Sequence, residues 1–205
     1  MCMCSKCMNM SNLHPCGSNC VNLGPFRAVR PGCTPPNTGS IIPFSSGITP
    51  AVLTTLVGGL VGTTSLIGFG TAVPGITILG NTIDLSGIVT EAFAVPRNGS
   101  ITAISASFTA LAALDLGLGS VSVTAQIYRA PAGSSVFTAT NARVTLTPPY
   151  EGLISIGQTS YGSANVPPVP VAQGDRLLMV YSIAGTGVTI AAALTGTASA
   201  GITIS

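Results

Sequence analysis

The six cysteines are the residues with the strongest chemistry in this chain, and all of them lie within its first 33 residues. They are Cys2, Cys4, Cys7, Cys16, Cys20 and Cys33, and the rest of the 205-residue chain contains none. On an extended segment, thiols can meet those of a neighbouring molecule at the Cα separation of about 4.4–6.8 Å that a disulfide requires. The favoured prediction is that all six are candidates for intermolecular disulfides, which would make an assembly hard to reverse.

Two other readings of the cysteines stay open. Cys4 and Cys7, together with His14 or with Cys16 and Cys20, offer soft ligands of the kind that zinc prefers, although the chain has no second Cys-x2-Cys pair. A disulfide knot within the segment is the third reading, and the sequence does not choose among its pairings.

No set of residues predicts catalysis. His14 is the only histidine and reads as an ordinary exposed residue, and the carboxylates are spread singly along the chain. No nucleophile elbow, phosphate-binding loop or zinc-protease motif occurs. We therefore expect no enzymatic activity, no cofactor and no resident metal.

The segment that carries the cysteines, residues 1–39, predicts an extended N-terminal arm. Its many prolines oppose both a helix and a central strand. It is also basic, because it contains Lys6, Arg27 and Arg30 and no acidic residue. At about 3.3 Å per residue such an arm reaches roughly 130 Å, and an exposed strand edge of a neighbouring molecule would be a docking point for it.

Residues 40–205 predict one folded body. Charged residues make up 6% of the chain and hydrophobic residues 46%, the opposite of the balance that keeps a chain disordered. A net charge of +2 from scattered arginines offers no track for phosphates, so no nucleic-acid partner is expected. Glycine, serine and threonine interrupt residues 53–69, so no membrane span is expected. The low charge itself favours association between copies.

Alternation of apolar and polar residues predicts β-strands in the body. Residues 101–108, 121–127 and 188–194 alternate, and residues 177–181 form the continuous apolar run that is typical of a central strand. Turn residues separate these runs at the intervals of an all-β sandwich or barrel. The only helix candidate is residues 109–116.

Two polar pairs lie between the predicted strands. Asp175 and Arg176 read as a solvated turn, with a local ion pair or a contact between subunits as the alternatives. Tyr150 and Glu151 follow two prolines and read as a loop that can lie at a subunit face.

The body resembles a known family in several blocks that occur in one order. The blocks are residues 39–47, 53–62, 65–70, 93–97, 99–102, 154–157 and 174–180. In them the chain is similar to the C-terminal domain of BclB-type exosporium glycoproteins of spore-forming Bacillus relatives, over about residues 39–205. The resemblance implies an all-β fold, a jelly-roll sandwich of the tumour-necrosis-factor-like kind, usually trimeric and displayed on the spore surface.

The chain also departs from that family. It has no collagen-like Gly-X-Y stalk, and the exosporium-targeting leader is not recognisable. The Cys-rich arm that stands in their place is similar in kind to the N-terminal connectors of spore appendage subunits. No secretion signal is recognised at the start of the sequence. The resemblance accounts for this, because spore outer-layer proteins are freed by lysis of the mother cell.

These observations predict a structural subunit of a self-assembling, disulfide-crosslinked extracellular fibre or surface layer of bacterial endospores. The alternatives are a trimeric exosporium head that binds a ligand or host and is anchored by its arm, and a thiol-rich metal-buffering protein. The expected partners are copies of the chain itself, as a homo-oligomer or fibre, and other spore-surface proteins, with no nucleic acid and no membrane. The expected location is the spore surface.

Overall fold

The computed structural model describes residues 39–86, 91–187 and 191–205, together with the backbone of residues 20–23 and 26–29. The chain divides into two units, Met1–Thr38 and Gly39–Ser205, and each is described by itself. Within the described ranges, no helix is long and apolar enough to cross a membrane.

A β-hairpin is the described part of the first unit. Strands β1 (Cys20–Leu23) and β2 (Phe26–Val29) pair in antiparallel register. The sequence predicted an extended arm in this region, with neither a helix nor a central strand. The signal for the hairpin was the Gly24-Pro25 dipeptide, a turn former between two short runs that can pair. The rest of the predicted arm lies outside the described residues.

The second unit is built from strands, and its described residues form no helix. The strands of its first half are β3 (Ser40–Ser45), β4 (Ala51–Thr54), β5 (Thr63–Ile67), β6 (Ala72–Thr77), β7 (Thr82–Asp84), β8 (Phe93–Ala94) and β9 (Gly99–Ala110). Those of its second half are β10 (Leu114–Ala130), β11 (Val136–Thr145), β12 (Tyr150–Ile154), β13 (Thr159–Val171), β14 (Arg176–Thr186) and β15 (Ala193–Ile204).

The strands form two antiparallel sheets. The front sheet has the order β13-β9-β15-β3, with β4 paired to β15. The back sheet has the order β6-β5-β14-β10-β11-β7, with β12 paired to β10 and β8 to β14. Eight strands form four nested pairs in chain order. The outermost pair is β3 with β15, followed by β5 with β14, β9 with β13, and β10 with β11. This nested pairing is that of a jelly roll, so the predicted sandwich is confirmed.

The core lies between the sheets and follows the predicted alternation. Val121, Val123, Ala125 and Ile127 are buried, while the polar residues between them are only half-buried. The predicted central strand, residues 177–181, lies in β14 between β5 and β10.

All five residues of that apolar run are buried because the back sheet is covered on both sides. Leu177, Met179 and Tyr181 belong to the main core. Leu178 and Val180 instead join a second cluster on the outer side of the back sheet, which includes side chains from the connection that contains β7. The front sheet has no such outer cluster in the described part of the chain.

Two predictions about local structure are wrong. The helix expected at residues 109–116 is instead the end of β9, a turn and the start of β10, because sheet pairing overrides a short run of helix formers. Tyr150, expected in a loop, is fully buried at the start of β12. A single tyrosine beside two prolines gives no alternation from which a strand can be recognised.

The strand edges oppose further pairing. The edge prolines are Pro43 in β3, Pro74 in β6, and Pro167, Pro168 and Pro170 in β13. Proline has no N–H to donate to another strand, and it is a common means of protecting an edge. The edge strand β7 is only three residues long. The short strands β4, β8 and β12 each pair with a single strand and contain no proline. The structure therefore disfavours the predicted docking on a strand edge at β3, β6, β7 and β13.

Two buried tyrosines of the back sheet connect it to the front sheet. The Tyr150 hydroxyl donates to the carbonyl of Phe108 at 2.9 Å, and the Tyr181 hydroxyl donates to the carbonyl of Ser199 at 2.7 Å. The Tyr181 oxygen also lies 3.2 Å from the carbonyl of Ser107. Burial raises the pKa of both phenols above the ordinary value of 10.0. The two hydrogen bonds fix the distance between the sheets at the centre of the molecule.

We predict that Tyr181→Phe lowers the free energy of unfolding by about 1–3 kcal/mol, because a buried carbonyl loses its donor. Urea denaturation followed by circular dichroism measures this. The control is Tyr161→Phe at a protein concentration at which the monomer predominates; it removes the hydroxyl of an exposed tyrosine and should change the stability by less than about 0.5 kcal/mol. Equal effects of the two substitutions would contradict the role given to Tyr181.

The same tyrosine predicts a loss of stability in alkali. Because burial raises the pKa of Tyr181, the folded state holds the phenol proton more tightly than the unfolded chain does. Its contribution is fully present below the unfolded pKa of about 10 and is lost as the pH rises above that value. Denaturation at several pH values from about 8 to about 11 should show a steeper decline for the wild type than for Tyr181→Phe. Parallel curves would show that Tyr181 does not cause the decline.

Candidate self-association surface

The outward side of the front sheet, here called the front face, is not covered by a second cluster in the described part of the chain. Its residues are exposed or half-buried. Residues on neighbouring strands align in four cross-strand rows, since the pairing there is regular. The rows are Thr159–Thr109–Thr197, Tyr161–Ser107–Ser199–Ser45, Ser163–Ser105–Gly201–Pro43 and Asn165–Ala103–Thr203–Ile41.

No charged residue occurs in these rows, and most of the side chains are small hydroxyls. The hydroxyls of neighbouring strands bond to each other along the face. The pairs are Thr109 with Thr159 at 2.8 Å, Ser107 with Ser199 at 3.1 Å, and Ser105 with Ser163 at 2.7 Å. Polar groups that already have partners can be removed from water at much lower cost than groups left without one. The centre of the front face, where these six hydroxyls lie, is therefore polar in composition but costs less free energy to dehydrate than unpaired hydroxyls would.

The front face also carries a projection beside a hollow. Tyr161 is the largest side chain in the four rows and is 66% exposed. In the next row Gly201 has no side chain, and a Cβ atom built there would meet nothing closer than the Ile42 carbonyl oxygen at 3.9 Å. Depressions of about 330 and 280 Å³ adjoin this glycine, and Ser105 and Ser163 line both of them. A projection and a hollow on one face are the elements of a self-complementary contact.

Charged residues of the body are absent from the four rows, although two of them reach the edge strands of the front sheet. Arg97 donates to the Ser40 hydroxyl at 3.0 Å, and Arg129 donates to the Pro170 carbonyl at 2.7 Å. Arg143 is exposed on β11 of the back sheet. Arg129, near the end of β10, pairs with Asp175 at 3.6 Å. The guanidinium of Arg176 lies over the Phe137 ring at 5.2 Å.

The reading of Asp175 and Arg176 as a solvated turn is wrong. Asp175 is buried, and its carboxylate pairs with Arg129 rather than with the adjacent arginine. The same carboxylate accepts the backbone N–H of Ala172 at 2.9 Å and so closes the turn. Adjacency in the sequence did not predict the ion pair. Asp175 lies in the turn and Arg176 begins β14, so the two side chains have different partners.

The cysteines predicted to form intermolecular disulfides are not placed by the structure. Cys2, Cys4, Cys7, Cys16 and Cys33 lie outside the described residues, as does His14. Cys20 begins β1, where only the backbone is described. Their crosslinking, and the zinc and knot alternatives, stay predictions. In the described ranges, no group of three or more metal-ligating side chains comes together.

Sequence reasoning missed the front face although its signal was present. The inward residues Ile104, Ala106 and Phe108 of β9 were recognised, and they are buried. The residues between them, Ser105 and Ser107, were treated only as the solvent side of a strand. In the structure β13 and β15 lie on either side of β9. The three strands together contribute small uncharged residues to one surface, which a single strand's sequence does not show.

Comparisons with known proteins give limited similarity. No protein family model matches the chain. The chain is 30% identical over 179 residues to collagen-like protein 1 of Acanthamoeba polyphaga mimivirus, an alignment that covers 82% of this chain and 19% of that protein. The chain thus spans about one fifth of the length of this relative. The solved structure of Eiger TNF from S. frugiperda aligns with 80% of this chain and 94% of that one, at 11% identity and a TM-score of 0.30. The jelly-roll assignment rests on the strand order of the chain itself.

We predict that Gly201→Arg abolishes self-association through the front face without unfolding the domain. The backbone at Gly201 needs no positive φ, and there is open space above it. A charge placed at the centre of the dehydrated face would weaken association by at least about 100-fold. Sedimentation velocity measures the oligomeric state. The control is Thr145→Arg, at an exposed position of β11 in the back sheet, which should leave the oligomer unchanged. An intact oligomer in Gly201→Arg would exclude the front face as the interface.

Proposed function

We propose that the chain is a structural subunit of a self-assembling, disulfide-crosslinked extracellular fibre or surface layer of bacterial endospores. The observation that carries this proposal is the front face, an uncharged sheet surface on which six hydroxyls already bond to one another in pairs. In an assembly, such a face can be removed from water at a low cost in free energy, because its paired hydroxyls keep their hydrogen bonds.

A second copy of the chain is the partner that fits this face. The face bears no charge with which to select a differently charged protein, and Tyr161 stands beside the Gly201 hollow that would receive the same residue of a neighbour. A body of low net charge also has little electrostatic repulsion between copies. The proline-bearing edges disfavour growth by strand addition, so contact through a sheet face is the remaining way to pack bodies side by side.

A threefold arrangement is the symmetry that we favour. The relative from Acanthamoeba polyphaga mimivirus is named a collagen-like protein, and collagen winds three chains together. A domain in such a protein is suited to a trimeric head. Three copies related by a closed rotation would each present the front face toward the common axis.

Crosslinking by the N-terminal segment is the second part of the proposal. All six cysteines precede the folded body in the sequence, so disulfides between copies can form without distorting the core. Bodies would associate through their front faces, and disulfides would then make the assembly resistant to dilution and heat. The placement on the endospore surface rests on the resemblance of the body to the exosporium glycoprotein domain.

We predict that replacing all six cysteines with serine separates these two parts. Wild-type protein should give a high-mass ladder on non-reducing electrophoresis, and the serine variant should give none. The serine variant should still form the non-covalent oligomer in sedimentation, because the front face is unchanged. The matched control is Gly201→Arg with its cysteines intact, which should lose the non-covalent oligomer while its thiols can still be oxidised.

Other results would point to the alternatives. A wild-type protein that forms a clean trimer with six free thiols would contradict crosslinking and favour a ligand- or host-binding head. Stoichiometric zinc without a ladder would favour the metal-binding reading. A monomer at all concentrations would exclude the structural proposal.

A further inference from the structure

A groove opens along one side of the sandwich, between β11 of the back sheet and β13 of the front sheet. Residues 138–141, residues 167–170 and Arg129 form most of its lining, and it is here called the edge groove. Its volume of about 460 Å³ falls within the range of about 300–1,000 Å³ that is typical of small-molecule sites. Beyond one end of the groove the two strands are bridged, because Thr147 and Tyr161 exchange backbone hydrogen bonds of 2.9 Å.

Two bulges separate the strands along the edge groove. Residues 165–169 of β13 stand opposite only residues 101–103 of β9. Residues 139–143 of β11 stand opposite only residues 126–128 of β10. Bulges bend a strand and re-aim its side chains, and they are common at sheet edges and next to active sites. The edge groove therefore results from paired irregularities in two strands of different sheets.

Side-chain hydrogen bonds hold the β11 bulge in one shape. The Thr140 hydroxyl donates to the Ile127 carbonyl at 2.7 Å and accepts the Ala142 N–H at 3.2 Å. The Gln126 amide donates to the Thr140 carbonyl at 2.7 Å. These bonds leave Asn141 exposed within the bulge, where it lines the groove. Its side-chain amide can both donate and accept, and it has no partner in the part of the chain that the structure describes.

Arg129 contributes a positive charge to the lining. Its Nη1 atom already donates to the Pro170 carbonyl and lies 3.6 Å from the buried Asp175 carboxylate. Among the described residues, Nε and Nη2 have no partner, and these two atoms present parallel N–H groups on one edge of the guanidinium. Such an edge matches the two oxygens of a carboxylate. Because Asp175 offsets part of the charge, the site suits a single negative charge better than a double one.

The rest of the lining suits a sugar ring. The Thr138 hydroxyl and the Asn141 amide supply polar atoms. The C–H surface comes from four prolines, Pro131, Pro167, Pro168 and Pro170. A sugar ring has the same division, with hydroxyls at its rim and C–H groups on its faces. An extended peptide is disfavoured, because prolines have no N–H with which a peptide could pair as an added strand.

We propose that the edge groove binds a carboxylated sugar, with the carboxylate on Nε and Nη2 of Arg129 and the ring hydroxyls on Thr138 and Asn141. The inference goes beyond the proposed structural function and does not depend on it, since no residue that lines the groove belongs to the four rows of the front face. In an assembly each copy would contribute one site. A polysaccharide with repeated carboxylates would then bind several copies at once.

Ligand-observed NMR on the full chain tests the ligand class. Glucuronate is titrated by saturation transfer, and four other compounds compete for its signal. These are glucose, acetate, inorganic sulfate and acetyl-alanyl-alanine with a free carboxylate. Glucuronate should bind at least about tenfold more tightly than each of them, because it alone combines a carboxylate with sugar hydroxyls. No binding of glucuronate, or equal or tighter binding of any competitor, would overturn the assignment.

Substitutions locate the site. Arg129→Lys keeps the charge beside Asp175 but removes the parallel N–H pair, and it should weaken glucuronate binding at least about tenfold. Asn141→Ala changes an exposed side chain and should weaken binding at least about threefold. The matched control is Arg143→Lys, at an exposed arginine of β11 that does not line the groove, and it should leave the affinity within about twofold.

Two further measurements keep the result interpretable. Circular dichroism shows whether each variant is folded, and Asn141→Ala tests the groove even if Arg129→Lys is unstable. Gly201→Arg should bind glucuronate as the wild type does, because the edge groove does not require self-association. Unchanged affinity in folded Arg129→Lys and Asn141→Ala, or an equal loss in Arg143→Lys, would place the ligand elsewhere and overturn the proposal.

Discussion

The hydroxyl pairs along the front face are the interaction on which this account depends. A sheet surface of serine and threonine is normally hydrated, and burying it would cost about as much free energy as a contact returns. In this chain the hydroxyls of β9 bond to those of β13 and β15, so their hydrogen bonds survive when water leaves. The front face can therefore remain soluble before assembly and become an interior surface afterwards. Tyr150 and Tyr181 support it from behind by bonding to backbone carbonyls of β9 and β15.

The rest of the sandwich limits where association can occur. Prolines on β3, β6 and β13 restrict strand addition, which would otherwise lead to uncontrolled growth. The outer side of the back sheet is partly covered by the cluster that includes Ile83 and Leu85. The front face has no such covering cluster in the described part of the chain.

The sequence alone predicted the jelly-roll sandwich, but it did not predict the front face. Alternation identified the inward residues of β9 and β10 because burial imposes a period of two on each strand separately. Of the predicted run 188–194, residues 188–190 lie outside the described residues, and β15 begins at Ala193. The front face could not be read in this way, because it is a property of four strands in register and each outward serine is unremarkable alone. The same limit explains Asp175, whose partner Arg129 is distant in sequence. The β1–β2 hairpin was not predicted, because the many prolines of the whole segment oppose regular structure, whereas the sequence signal for pairing is the single Gly24-Pro25 dipeptide.

A reconstruction of the oxidised, assembled protein by cryo-electron microscopy tests the central claim most directly. The account predicts that front faces of adjacent copies meet around a closed axis, with Tyr161 of one copy in the hollow beside Gly201 of the next and no water layer between them. Assemblies in which the front face lines solvent, or in which copies are joined by a strand added at a sheet edge, would contradict it.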